Sequence, residues 1–202
     1  MKIAILGWGS LLWDSRPEFA SFQKQHESWK DDGPTLRLEF SRISSSRKGA
    51  LTLVLETEPN GTLCQVAYAA SKRDNLDDVR CDLRYREGTE LVNIGFCVTT
   101  PPGQSHGRCS QAISSILKWA AEPEHKFDVV VWTDLDSNFQ QKRGRPFSLE
   151  EAILHLQGLD REGKSKAAEY VWRAPDFIRT PLRSTLEAIP WFAAAQPNEG
   201  VG

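Results

Sequence analysis

The chain has 202 residues, 40% of them hydrophobic and 26% charged, with a formal net charge of -2. That balance suits one globular domain over 1–202 able to bury a core, and it offers no electrostatic basis for binding nucleic acid or an anionic membrane. No stretch approaches the roughly 20 apolar residues of a membrane span. The apolar start, broken by Gly7 and Gly9 and ended by Asp14, is too short for a secretion signal, so the expected location is cytoplasmic. Cys64, Cys81, Cys97 and Cys109 form no CxxC pair and read as reduced, mostly buried thiols.

The elements follow in chain order. Ile3 to Leu6 is a short apolar run, a buried strand. Gly7-Trp8-Gly9-Ser10 then has to turn, and its two glycines permit positive φ and close approach of the backbone to something else. Residues 15–32 read as irregular structure anchored by Trp29. Thr35 to Arg42 alternates Leu36, Leu38 and Phe40 with polar residues, a half-buried strand. Ala50–Glu56 and Leu63–Ala69, joined by Pro59-Asn60-Gly61, are expected to form a hairpin.

A helix is expected to open at Ser71 and Asp74 and to end near Glu87, with Gly88 just past its C-terminus. Leu91–Thr99 reads as a strand stopped by Pro101-Pro102-Gly103. Cys109, Ala112, Ile113, Ile116, Leu117 and Ala120 predict a helix over 105–121. Phe127–Trp132 is a buried strand. Ser148 and Glu151 cap a further helix, another spans Lys164–Arg173, and the chain after Trp191 reads as loosely ordered. Strands and helices do not alternate regularly, which predicts an α+β protein with a largely antiparallel sheet or small barrel.

Three constellations bear on chemistry. Gly7-x-Gly9 after a strand is part of a dinucleotide fingerprint, but Leu12 stands where its third glycine belongs and no strand leads into Asp31 and Asp32. Such a turn more generally gathers backbone N–H groups into a concavity for a carboxylate or phosphate. The histidines His26, His106, His125 and His155 show no metal-ligand spacing, so neither metal nor cofactor is called for. Glu87, in the last turn of its helix, opposes the helix dipole, which disfavours its charged form and suits a general base, with Arg84 and Arg86 offsetting the effect.

Taken in order, several segments resemble the ChaC-like gamma-glutamylcyclotransferases. Leu6-Gly7-Trp8-Gly9-Ser10-Leu11-Leu12-Trp13 is similar to that family's G-Y-G-S-L-I-W opening, with Trp8 in place of the usual tyrosine. Phe40-Ser41-Arg42 resembles its Y-S-R segment, and Thr52-Leu53-Val54, Asn60-Gly61 and Val66-Ala67-Tyr68 resemble its T-L-V…G…V-A-Y hairpin. Leu83-Arg84-Tyr85-Arg86-Glu87 is similar to the L-x-x-R-E segment that carries the catalytic glutamate. Pro146 with Leu149-Glu150, and Glu169-Tyr170, look like the P-L-E and T-E-Y elements. Gly88-Thr89-Glu90-Leu91 departs from the family's K-G-G-Y, and 101–126 reads as a helical insertion relative to compact members.

The resemblance implies a small mixed β-barrel or sheet flanked by helices, and a lyase that closes a gamma-glutamyl group to 5-oxoproline with release of an amine. It implies Glu87 as acid/base residue, a substrate held by Gly7, Trp8, Gly9, Ser10 and Leu11, and Tyr68 lining the pocket. The partner would be a small gamma-glutamyl compound, glutathione among the options. A non-catalytic binding member of the same fold is the competing expectation, and a nucleotide-binding protein using the Gly7–Gly9 turn is a third.

Overall fold

A computed structural model of the protein describes residues 1–195. In chain order the elements are β1 (Ile3–Gly7), α1 (Ser10–Trp13), α2 (Ala20–Gln23), β2 (Thr35–Ile43), β3 (Leu51–Leu55), β4 (Thr62–Gln65), β5 (Ala67–Ala70), α3 (Leu76–Glu87), β6 (Ile94–Thr99), β7 (Pro102–His106), α4 (Ser110–Ala120), β8 (Val129–Thr133), α5 (Phe139–Arg143), α6 (Leu149–Gln157), α7 (Arg161–Trp172), α8 (Pro181–Glu187) and α9 (Pro190–Ala193). The protein is α+β, as expected. Its strands form two sheets, ordered β5-β1-β8-β6-β7 and β3-β2-β4, and no closed barrel occurs among the described residues. No helix among them is long and apolar enough to cross a membrane. The stretch after Trp191 that was expected to be loose lies largely beyond the described residues.

The chain divides into two compact units, Met1–Leu36 with Gln65–Leu135, and Arg37–Cys64 with the chain from Asp136 onward. In the first, β1 runs parallel to β8 and antiparallel to β5, while β6 is antiparallel to β8 and β7. One face of this mixed sheet presents Ile3, Ile5, Ile94, Phe96, Val129 and Val131, which bury against Val79 and Leu83 of α3 with Leu11 and Phe22. The stripe Val79, Leu83 recurs at helical spacing, so α3 has one apolar side to bury. Alternation along the strands sends Leu6, Tyr68 and Trp132 to the other face.

On that second face the Tyr68 ring meets Trp119 of α4 edge-on at 5.0 Å, and Trp119 lies 4.2 Å from His125 and 5.9 Å from Phe127. The Trp132 indole fills the space that side chains at Gly95 and Gly107 would need, and its Nε1–H donates to Asp134 at 3.2 Å.

In the second unit, Leu38, Phe40, Leu51 and Leu53 are buried on the small sheet, and Phe40 meets Tyr170 of α7 edge-on at 6.2 Å. Arg183 is 1% exposed and donates to the carbonyl oxygens of Ala174, Pro175 and Ile178, tying the turn before α8 to that helix. A buried guanidinium is tolerable because its donors are used this fully.

Several local expectations are corrected. The hairpin of 50–56 with 63–69 does not form: β2 lies between β3 and β4, and the second strand breaks at Val66 into β4 and β5, the latter paired with β1. The turn residues are local signals, whereas pairing follows the burial of the fully apolar face of β2. That strand is also not half-buried, since Glu39 and Ser41 on its polar side are 1% and 0% exposed.

Helix α3 starts later than expected. Asn75 caps it, its side chain accepting from the Asp77 and Asp78 N–H groups at 2.9 and 3.2 Å, while the Ser71 N–H belongs to the sheet and donates to Ile3 O at 2.8 Å. Pro101–Gly103 does not end the sheet, because residues 102–106 return as β7 and α4 begins only at Ser110. Cys109 accordingly caps α4 instead of lying on its apolar face. Ser148 caps α6 as expected, accepting from the Glu151 N–H at 3.2 Å.

Candidate active site

The site is built where β1 and α3 end. Gly7 closes β1, and a Cβ there would lie 2.7 Å from the Trp29 indole and 2.9 Å from a Leu12 methyl. The close approach that this glycine permits is therefore to Trp29. Gly9 is the residue that requires glycine for conformation, with φ +59° and ψ −138°. It reverses the chain into α1, whose first N–H groups, Ser10 and Leu11, have no carbonyl within the helix to bond. Trp8 and Leu11 are buried, and Ser10 is half-buried.

Glu87 is the last residue of α3. Gly88 follows in the left-handed conformation, its N–H bonded to Tyr85 O at 3.2 Å and that of Thr89 to Arg84 O at 3.2 Å, which closes the helix as the sequence predicts. The Glu87 side chain is 18% exposed.

Arg86 joins these two segments. Its guanidinium is 5% exposed, donates from Nη2 to the Ser10 carbonyl oxygen at 2.9 Å, and places Nη1 3.7 Å from Glu87 Oε1. The Phe19 ring lies under it, 3.7 Å from ring centroid to guanidinium carbon. Asp14, at the end of α1, is buried and accepts two bonds from Arg16 at 2.8 and 2.9 Å. Burial alone would raise the Asp14 carboxyl, but the Arg16 guanidinium, with Arg86 beyond it, holds it below the usual carboxylate range.

The structure thus places the Arg86 guanidinium between the Ser10 carbonyl oxygen and the Glu87 carboxylate. Tyr68 stands apart, on the opposite face of the sheet from α3 and enclosed by Trp119, His125 and Phe127. Arg86 and Asp14 are the residues that sequence reasoning did not select. A signal for Arg86 existed, since it continues the buried stripe Val79, Leu83 by three more residues, where an arginine is out of place unless it is partnered. Away from this site, Glu122, Glu124 and His125 bring potential ligand atoms within 4.8 Å of one another, two of them exposed carboxylates.

Fold and site together define an α+β protein with a glycine turn, a carboxylate and a buried arginine gathered at one end of a mixed sheet. A scan against protein-family models, a search of curated proteins and a search of solved structures each return no match.

Proposed function

We propose that the protein is a gamma-glutamylcyclotransferase-type lyase with the matching fold, acting on a small gamma-glutamyl compound in the cytoplasm. The observation that supports this reading best is the Arg86 bridge between Ser10 and Glu87, two segments 76 residues apart from Arg86 to Ser10 that the family resemblance assigns to one site.

In this reading the substrate's α-amino nitrogen attacks its own γ-carbonyl carbon and closes the five-membered ring. Glu87 takes the proton that the amine loses and returns it to the departing nitrogen as the C–N bond breaks, giving 5-oxoproline and a free amine. General acid–base help of this kind is worth roughly 10² to 10⁴ in rate. Holding the flexible glutamyl chain in its ring-closing rotamer contributes several kcal/mol more, because the reaction is already intramolecular. The N–H groups at Gly9, Ser10 and Leu11 would receive the substrate carboxylate or the developing oxyanion.

The test is release of 5-oxoproline, followed by mass spectrometry, from glutathione and a panel of gamma-glutamyl amines. Wild type should release it and Glu87→Gln should not. An active Glu87→Gln protein would overturn the assignment of the base. Binding of these compounds without release would favour a non-catalytic member of the same fold.

A further inference from the structure

We infer that Thr133 is a further substrate-binding residue of this site, its hydroxyl hydrogen-bonding a carbonyl or carboxylate oxygen of the gamma-glutamyl group. The inference rests on the function proposed above. It begins from strand direction: β1 and β8 are parallel neighbours in register Ile3 with Val129, Ala4 with Val130 and Ile5 with Val131. Gly7 and Thr133 are the last residues of these strands, each two residues beyond the paired Ile5 and Val131. In open α/β sheets ligands gather outside the carboxyl ends of parallel strands, and β1 and β8 are the parallel pair of this mixed sheet.

The face is also determined. Thr133 is directly opposite Ile94, and Ile94 belongs to the core beneath α3. Trp132 and Asp134, before and after it, meet each other through the indole N–H. Helix α3 runs in the same direction as β1, because the N-terminal amine donates to Asp74 O, just before the helix, at 3.3 Å, while Arg86 at the other end reaches Ser10. Thr133 therefore points to the side of the sheet on which α3 ends at Glu87.

What marks the residue is its hydroxyl. Thr133 Oγ1 is buried and has no hydrogen-bond partner among the described residues, although Thr133 itself is only half-buried. Buried hydroxyls are ordinarily paired, and an exception calls for an explanation. The polar groups nearest in the chain are committed elsewhere. The Asp134 N–H donates to Asn93 O at 2.8 Å, and the Asp134 carboxylate accepts from the Arg108 N–H at 2.7 Å and from Trp132. The Asn93 side chain is held by Thr89 and Arg108. A ligand oxygen at the strand ends would supply the missing partner.

The test compares wild type, Thr133→Val and Thr133→Ser in two measurements. In thermal melts without ligand, Thr133→Val should match or exceed wild type, since valine fills the same space without an unpaired hydroxyl. A lower melting temperature for valine that serine restores would mean that the fold uses the hydroxyl, and would overturn the inference. In 5-oxoproline release from the best gamma-glutamyl substrate of the panel, Thr133→Val should raise KM about tenfold, the loss of one hydrogen bond to an anionic group, and Thr133→Ser should restore it. Wild-type kinetics in Thr133→Val would overturn the inference and leave the function standing. Wild type that neither binds nor turns over any member of the panel would overturn the function, and the inference with it.

Discussion

The Arg86 guanidinium donates to the Ser10 carbonyl oxygen at 2.9 Å, tying the last turn of α3 to the first turn after β1. The same group carries a positive charge into a buried position beside Glu87 and above the Phe19 ring. Removing it takes this positive charge away from the Glu87 carboxylate and this donor away from the Ser10 carbonyl oxygen. Arg86→Ala is expected to destabilise the protein by about 3 kcal/mol, toward the lower end for a broken buried pair because Arg16 still serves Asp14. Urea unfolding measures this, and Arg86→Lys should recover part of the loss through charge alone. An Arg86→Ala midpoint equal to wild type would refute this role for the guanidinium.

Gly95 and Trp132 are cross-strand partners, and a Cβ at Gly95 would collide with the Trp132 indole. The indole cannot move far, because Gly107 lies against it as well and Asp134 holds its N–H. Gly95→Ala should therefore cost about 1–3 kcal/mol by overpacking, although alanine has the better strand propensity of the two. Thermal melts of Gly95→Ala and of the double variant Gly95→Ala, Trp132→Phe separate the causes. The smaller ring should relieve the clash and lose the Asp134 bond.

Glu39 is 1% exposed within the second unit, and burial pushes its carboxyl up to about 7 from 4.5. Bonds from Thr180, the Phe40 N–H and the Leu182 N–H, with the neighbouring Glu56 charge acting the other way, do not restore the ordinary value. The folded state thus holds this proton more tightly than the unfolded chain does. Its contribution to stability is complete below pH 4.5 and is lost as pH rises through 7. The loss over that window is roughly 3 kcal/mol. Glu39→Gln should flatten the pH dependence of stability between those limits and raise the melting temperature at pH 8, as followed by circular dichroism. An unchanged profile would show that another group governs it.

All four cysteines are free, but their surroundings differ. Cys81 is exposed on α3, whereas Cys97 is 0% exposed and burial pushes its thiol up to about 12. Cys64 is buried and shifted upward by the same cause. Since the thiolate is the reactive form, Cys81 should label with an aromatic disulfide reagent in the native protein, and Cys64 and Cys97 only after unfolding. Peptide mapping of the labelled sites would check this directly.

Much of the local structure was legible in the chain. Ile3–Leu6 as a buried strand, Gly88 ending a helix at Glu87 and Ser148 capping α6 all depend on residues within a few positions of one another. Local rules therefore reach them. Glu87 and the Gly7–Leu11 turn were selected by family resemblance, and the turn's conformational demand at Gly9 follows from its two glycines.

Pairing and partnership were decided elsewhere. The turn at 59–61 reads as a hairpin, yet β2 enters between the two strands because its apolar face buries best in the middle. Glu39 and Ser41 alternate as solvent-facing residues should, but chain from beyond residue 136 covers them. Arg86 becomes a bridge only once Ser10, 76 residues earlier, is beside it. Thr133 ends its strand at the same edge of the sheet as Gly7 only because β8 pairs in parallel with β1. By itself the sequence determined where the backbone turns, caps and extends, since those choices are settled by steric and hydrogen-bonding preferences along a few residues. Which strands became neighbours and which charges were buried together was decided by the tertiary structure, because apolar burial is summed over the whole chain and carries no memory of sequence distance.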